Sequence, residues 1–251
     1  MKKYLIFDNI VRGAGLGHTL VNYNHGLNYC IKHDLIWTPH KIIPGHCLNA
    51  CGHTLEAELG LPQFSKEHID NIRNTKNFEE IKLSTPECCI DWSLTRPVFK
   101  NWYAAAREGK KPRFLSESKT NICMSIRRGD LAGQPNHSMF WRLQPFSYYT
   151  EQLKELIKKE SIEQYRLIIS TDLRGHDNCI VDRHNNPHDI RDIFRDFSDD
   201  LIFVPFREDK PESNKYHTYD FLHAAISSDF FIGDSQGGYS VVIREIYRHG
   251  G

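Results

Sequence analysis

From Lys119 onward the chain alternates short apolar runs with amphipathic stretches, and this alternation restricts the fold more than any other feature. Asn121 to Ile126 reads as a strand, Tyr148 to Lys159 as a helix with Leu153, Leu156 and Ile157 on one face, and Tyr165 to Ser170 as a second strand. Ile190 to Phe197 suits a helix, Leu201 to Val204 a strand, Tyr219 to Ile226 a helix, Phe230 to Ile232 a strand, and Tyr239 to Tyr247 a closing helix. Strands alternating one-for-one with helices define a doubly wound parallel sheet, and its ligand crevice is expected at the carboxyl ends of the strands.

The amino-terminal part opens in the same style. Tyr4 to Phe7 is β-prone, Gly13-Ala14-Gly15-Leu16-Gly17 forms a glycine turn, a helical stretch runs from about His18 to His33, and Leu35 to Thr38 reads as a strand. Between about His40 and Lys119 the pattern weakens to short helical segments at Thr54 to Leu59 and Arg96 to Arg107. Pro112 and the polar stretch Ser116 to Thr120 mark a linker, so the reading divides the chain into domains at 1–115 and 116–251. No fixed-period repeat and no low-complexity segment interrupts this order.

Basic and acidic side chains both number 32, so no global field draws the chain to nucleic acid or an anionic membrane, and any anion site must be local. The opening apolar run is too short for a signal-peptide core or a membrane span, and seven cysteines without framework spacing favour reduced thiols, which together predict a cytoplasmic protein. The Asn136-His137-Ser138 sequon is the kind of triplet that chance supplies once in a chain of this length.

Two stretches carry the chemistry. In Cys123-Met124-Ser125-Ile126-Arg127-Arg128-Gly129-Asp130-Leu131, two arginines leave the carboxyl end of an apolar strand. Guanidinium groups suit phosphate oxygens because their planar forks donate paired hydrogen bonds and stay charged. Asp130 is placed to orient one of them; the plain alternative is a solvated Arg-Arg-x-Asp salt bridge. The second stretch, Phe230-Phe231-Ile232-Gly233-Asp234-Ser235-Gln236-Gly237-Gly238, ends a strand in a small polar turn that opens a helix. Such a turn aims N–H groups at an anion, unless Asp234 or Ser235 simply caps the helix. Asp172, ending Ser170-Thr171-Asp172, and Asp220 are carboxylates suited to a ribose or a base amide, or to capping.

Together these pieces resemble the fucosyltransferase superfamily of two facing Rossmann-like domains, the GT-B arrangement. Its hallmark His-x-Arg-Arg-x-Asp is matched by Ser125-Ile126-Arg127-Arg128-Gly129-Asp130, with serine in place of the histidine. Ser170 to Asp172 is similar to the next strand end, Asp234-Ser235-Gln236 to the phosphate turn before the last helix, and Asp220 stands near the acid that contacts the nucleoside. Gly15-Leu16-Gly17-His18 is similar to the glycine loop facing sugar and acceptor, with His18 replacing an asparagine. The resemblance implies an inverting, metal-independent glycosyltransferase with no cofactor. A nucleotide sugar (GDP-fucose, or a UDP-sugar such as UDP-xylose) donates to a glycan hydroxyl, and Arg127 stabilises the charge growing on the β-phosphate with help from the backbone near Ser235 and Gln236. The general base is expected in the first domain, where His18, Glu56, Asp70 and Asp91 are eligible.

Competing readings are narrower. Gly13 to His18 lacks the sixth-position glycine of a dinucleotide fingerprint, and no P-loop sequence occurs. His46, Cys47, Cys51 and His53 supply zinc-type donors at spacings unlike the paired-cysteine knuckles. A non-catalytic nucleotide-sugar-binding module that kept the arginine turn is the remaining alternative.

Overall fold

The computed structural model describes residues 3–7, 16–39, 55–62, 64–81, 91–128, 136, 143–172, 179–182, 186–206, 218–234 and 237–248. The chain divides into two compact units, Met1–Lys110 with Glu245–Gly251, and Lys111–Arg244. Both are mixed α/β with parallel sheets, an architecture compatible with Rossmann-like folding.

In the first unit β1 (Tyr4–Phe7) lies between β2 (Ile36–Pro39) and β3 (Phe78–Ile81), all parallel, with Tyr4 opposite both Ile36 and Phe78. A strand flanked on both sides has no polar face to spare, and Leu5 and Ile6 are accordingly buried. Helix α1 (Leu16–His33) connects β1 to β2 and buries Leu16, Leu20, Tyr23, Leu27 and Cys30, a spacing of three and four that lays one stripe along the helix. Burial pushes the Cys30 thiol up to about 12, so it behaves as a small apolar side chain. Helix α2 (Leu55–Leu59) packs on α4 (Arg96–Arg107), with Glu58 and Arg107 paired at 3.2 Å. Gly60 follows α2 at φ 67°, and a Cβ there would stand 2.2 Å from the Trp102 carbonyl oxygen, so no other residue fits without moving α4. Helix α3 (Lys66–Asn74), capped by Ser65 accepting from the His68 N–H, buries Ile69 and Ile72 against Ile6.

The second unit carries β4 (Thr120–Ile126), β5 (Tyr165–Asp172), β8 (Leu201–Phe206) and β9 (Phe230–Gly233) in the spatial order β8-β5-β4-β9, all parallel. In chain order this is third, second, first, fourth, so the winding direction reverses between β4 and β9. Ile122, Met124 and Ile126 of β4 and Leu167 and Ile169 of β5 pack with Tyr149 and Leu153 of α5 (Phe146–Glu160) and Ile190 and Phe194 of α6 (Ile190–Phe194). The opposite face, where alternation puts Cys123 and Ile168, belongs to α7 (Thr218–Ser227), which touches β4 and β9. Right-handed crossovers require this change of face once the order reverses. A two-stranded antiparallel ribbon, β6 (Cys179–Val181) and β7 (Pro187–Asp189), lies between β5 and α6.

Several elements differ from the sequence expectation. Helix α6 stops at Phe194 rather than Phe197, because the chain closes into a turn in which the Phe197 N–H donates to the Phe194 carbonyl and the Tyr165 hydroxyl donates to the Phe197 carbonyl. The closing helix is α-helical only over α8 (Gly238–Val242) and widens into a π-helical turn over Ile243–Arg248. Within that turn the Glu245 carbonyl accepts from Arg96 Nε, an interaction that competes with the tighter ladder. The linker is bonded to the amino end of its own sheet: Arg166 donates to the Phe114 carbonyl at 2.9 Å, and Asn121 exchanges hydrogen bonds with both backbone groups of Ser116.

Candidate functional site

Register brings the two motif turns to one rim. Ser125 pairs with Gly233 on one side and with Ser170 on the other, so the residues that follow, Arg127 after β4 and Asp234 after β9, leave adjacent strands at the reversal point. Asp172 closes β5 on the far side of β4.

The two arginines have different surroundings. Arg127 is half-buried, whereas Arg128 is 2% exposed. A guanidinium can be buried at this depth only if its protons meet acceptors. Arg128 NH1 donates to the carbonyls of Arg127 at 2.7 Å and Gln144 at 2.8 Å, while the flat of the group lies 4.1 Å from the Phe146 ring centre. Arg128 thus ties the exit of β4 to the segment that starts α5. Of the pair read from the sequence as anion ligands, Arg127 stands nearer to solvent and Arg128 holds the backbone that presents it.

The turn after β9 is equally supported. Asp234, also 2% exposed, accepts from the Gly237 N–H through Oδ1 and from the Ser240 hydroxyl at 2.8 Å through Oδ2, which ties the end of β9 to the start of α8, whose N-cap is Gly237. Arg244 NH1 donates to the Asp234 carbonyl at 2.9 Å, and the Tyr148 hydroxyl reaches the Gly233 carbonyl at 3.4 Å. A Cβ on Gly237 would come within 2.4 Å of the Asp234 carboxylate and one on Gly233 within 2.6 Å of Ser240 Oγ, so both glycines serve close approach.

Tyr149 joins the two turns from below. Burial pushes its phenol above the ordinary range, the Arg128 guanidinium works against that shift, and the Asp234 carboxylate adds to it.

The other residues read from the sequence are more scattered. Asp220, in the first turn of α7, pairs with Arg113 at 3.2 Å. Gly17 is buried in α1, and His18 occupies the first turn of that helix. Gly15, Asp130, Ser235, Gln236 and the His46, Cys47, Cys51, His53 cluster lie outside the described residues. Glu56 is exposed on α2, and Asp70 pairs with Arg73 at 3.3 Å. Asp91 is exposed, and hydrogen bonds from Ser93 hold its carboxyl below the usual carboxylate range. Among the described residues no group of three His, Cys, Asp or Glu side chains is placed to hold a metal, and no helix is long and apolar enough to cross a membrane.

The sequence reading missed Tyr148, Tyr149 and Arg244, which shape the rim through carbonyls and burial, and the ribbon residues Asp182 and His188. Only the ribbon left a local signal, the Asn186-Pro187 turn dipeptide. Comparison with known proteins adds no relative: no family model matches the chain, and neither a curated protein nor a solved structure does.

Proposed function

We propose that this chain is an inverting glycosyltransferase of the facing Rossmann-like type, holding the diphosphate of a nucleotide sugar at the carboxyl ends of β4 and β9. The observation that carries the reading is the strand order. A parallel sheet wound third-second-first-fourth opens a crevice where its direction reverses, and the arginine turn and the aspartate turn flank that point. The likeness of these turns to the fucosyltransferase superfamily points the same way, with fucose as the first candidate sugar and a UDP-sugar as the alternative.

In this proposal the acceptor hydroxyl attacks the anomeric carbon, the bond from that carbon to the β-phosphate oxygen breaks, and the nucleoside diphosphate leaves with the electron pair. Arg127 meets the growing charge. Arg128, Tyr149 and Asp234 keep the two turns in shape beforehand, which is what makes a charged donor effective, since no reorganisation is needed as the bond breaks. The hydroxyl proton passes to a base on the acceptor side, a role for which His18, Glu56, Asp70 and Asp91 are the candidates.

The test is release of nucleoside diphosphate from a panel of GDP- and UDP-sugars. At least one donor is expected to be consumed, and Arg127→Ala is expected to slow that release by roughly 10²–10³-fold. A panel bound and released without any turnover would favour the binding module, and turnover indifferent to Arg127→Ala would remove the arginine turn from the mechanism.

A further inference from the structure

The ribbon between β5 and α6 carries a histidine held by a carboxylate. Asp182 Oδ1 accepts from the Asn186 N–H at 2.9 Å, and Oδ2 takes Asn186 Nδ2 at 3.1 Å and faces His188 Nε2 at 3.2 Å. A carboxylate at Nε2 places the proton on that nitrogen and turns Nδ1 to the other side of the ring. The ring meets Phe146 edge-on, centres 5.4 Å apart, and Phe146 is the ring over which the Arg128 guanidinium lies. His188 is therefore one aromatic ring away from the arginine turn.

A purely mechanical role leaves much of this unexplained. The ribbon is already closed by its ladder and by the two bonds from Asn186 to Asp182. The imidazole is 41% exposed, so it contributes little to any core. An imidazole held at Nε2 by a carboxylate keeps Nδ1 for a second contact, and the ribbon that carries it follows the carboxyl end of β5 in the chain.

We propose that His188 is a further anion ligand of this site, and the inference rests on the diphosphate reading given above. A phosphate oxygen at Nδ1 and the Asp182 carboxylate at Nε2 each need a proton between themselves and the ring, so in the liganded state His188 donates through Nε2 to Asp182 and through Nδ1 to an oxygen of the phosphate farther from Arg127. Among the described residues, the charged and titratable groups around it are Asp182 on the ribbon, Asp189 at the end of β7, and Arg128 behind Phe146. Asp182 is a positioning residue, and Phe146 lies between His188 and the Arg128 guanidinium.

Pyrophosphate is the probe, titrated calorimetrically into the full chain, into Arg127→Ala and into His188→Gln. Glutamine keeps an N–H for Asp182 and removes the second nitrogen and the charge. His188→Gln is expected to weaken pyrophosphate binding roughly tenfold to a hundredfold, the range of one charge-assisted hydrogen bond, with an unchanged unfolding midpoint. In the wild-type chain the carbon-bound ring proton resonance of His188 is expected to move on adding pyrophosphate, a readout independent of any variant's folding. Loss of binding in Arg127→Ala with full binding in His188→Gln and a stationary His188 resonance overturns this inference and leaves the diphosphate reading standing. No pyrophosphate binding by the wild-type chain, or binding indifferent to Arg127→Ala, overturns both.

Discussion

The two ends of the β8-β5-β4-β9 sheet use charge differently. At the amino end, charge is met by charge: Asp200 accepts from Lys119 at 2.9 Å and from Arg166 at 3.1 Å. At the carboxyl end, Arg128 and Asp234 bond to carbonyls, an N–H and a hydroxyl of their own turns. The first arrangement closes an edge. The second ties the backbone that follows β4 and β9 to its own neighbours, and leaves Arg127 nearer to solvent than Arg128.

Breaking each end in turn sharpens the contrast. The largest effect is expected at Arg128. Its replacement by alanine leaves the Arg127 and Gln144 carbonyls without their donor and vacates the Phe146 face, so stability measured by urea unfolding should fall by about 3 kcal/mol. A loss below about 1 kcal/mol would mean that the turn holds its shape without the guanidinium. Asp234→Ala comes next, at about 2 kcal/mol, because the Gly237 N–H and the Ser240 hydroxyl lose their buried acceptor. Gly237→Ala should resemble it, since the added carbon displaces the same carboxylate.

Asp200→Asn is expected to be milder, roughly 0.5–1 kcal/mol at neutral pH, because solvent screens the pair. Its pH dependence is the sharper readout. Hydrogen bonds from Lys119 and Arg166 hold the Asp200 carboxyl below its ordinary value, so the native state favours the ionised form. The contribution is present above an unfolded value of about 3.9 and disappears as pH falls through the lower native one. The difference between wild type and Asp200→Asn should therefore shrink in acid, and a difference that grew there would contradict the geometry. Smallest of all should be the stability cost of Arg127→Ala, within about 1 kcal/mol, despite its expected effect on turnover. Neighbouring arginines, one costing stability and the other activity, would separate support from function.

The sequence made much of the second unit legible because its central strands are buried on both faces. Ile122, Met124 and Ile126, then Leu167 and Ile169, form apolar runs that no surface element would tolerate. Leu153 similarly marks the buried side of α5. Strand β3 was not legible, since Phe78-Glu79-Glu80-Ile81 places two acids in its middle and owes its conformation to pairing with β1. The ribbon was hidden for the same reason, its strands being three residues each and held by Asp182 rather than by apolar alternation. The division of labour between Arg127 and Arg128 could not be read at all. Two identical side chains in succession differ only in which of them meets Phe146, and that is decided by the packing of α5.

Strand β4 comes first in its unit yet sits in the interior of the sheet, and its contact with the segment entering β9 spans 108 residues of sequence. Closing so long a loop is slow relative to local pairing, so the β4–β9 edge is expected to zip up late. The arginine turn and the aspartate turn follow those two strands. Nascent or nicked chains that lack the final strand would thus own an arginine turn without its aspartate neighbour, and under the diphosphate proposal pyrophosphate capture would report that the whole unit has finished folding.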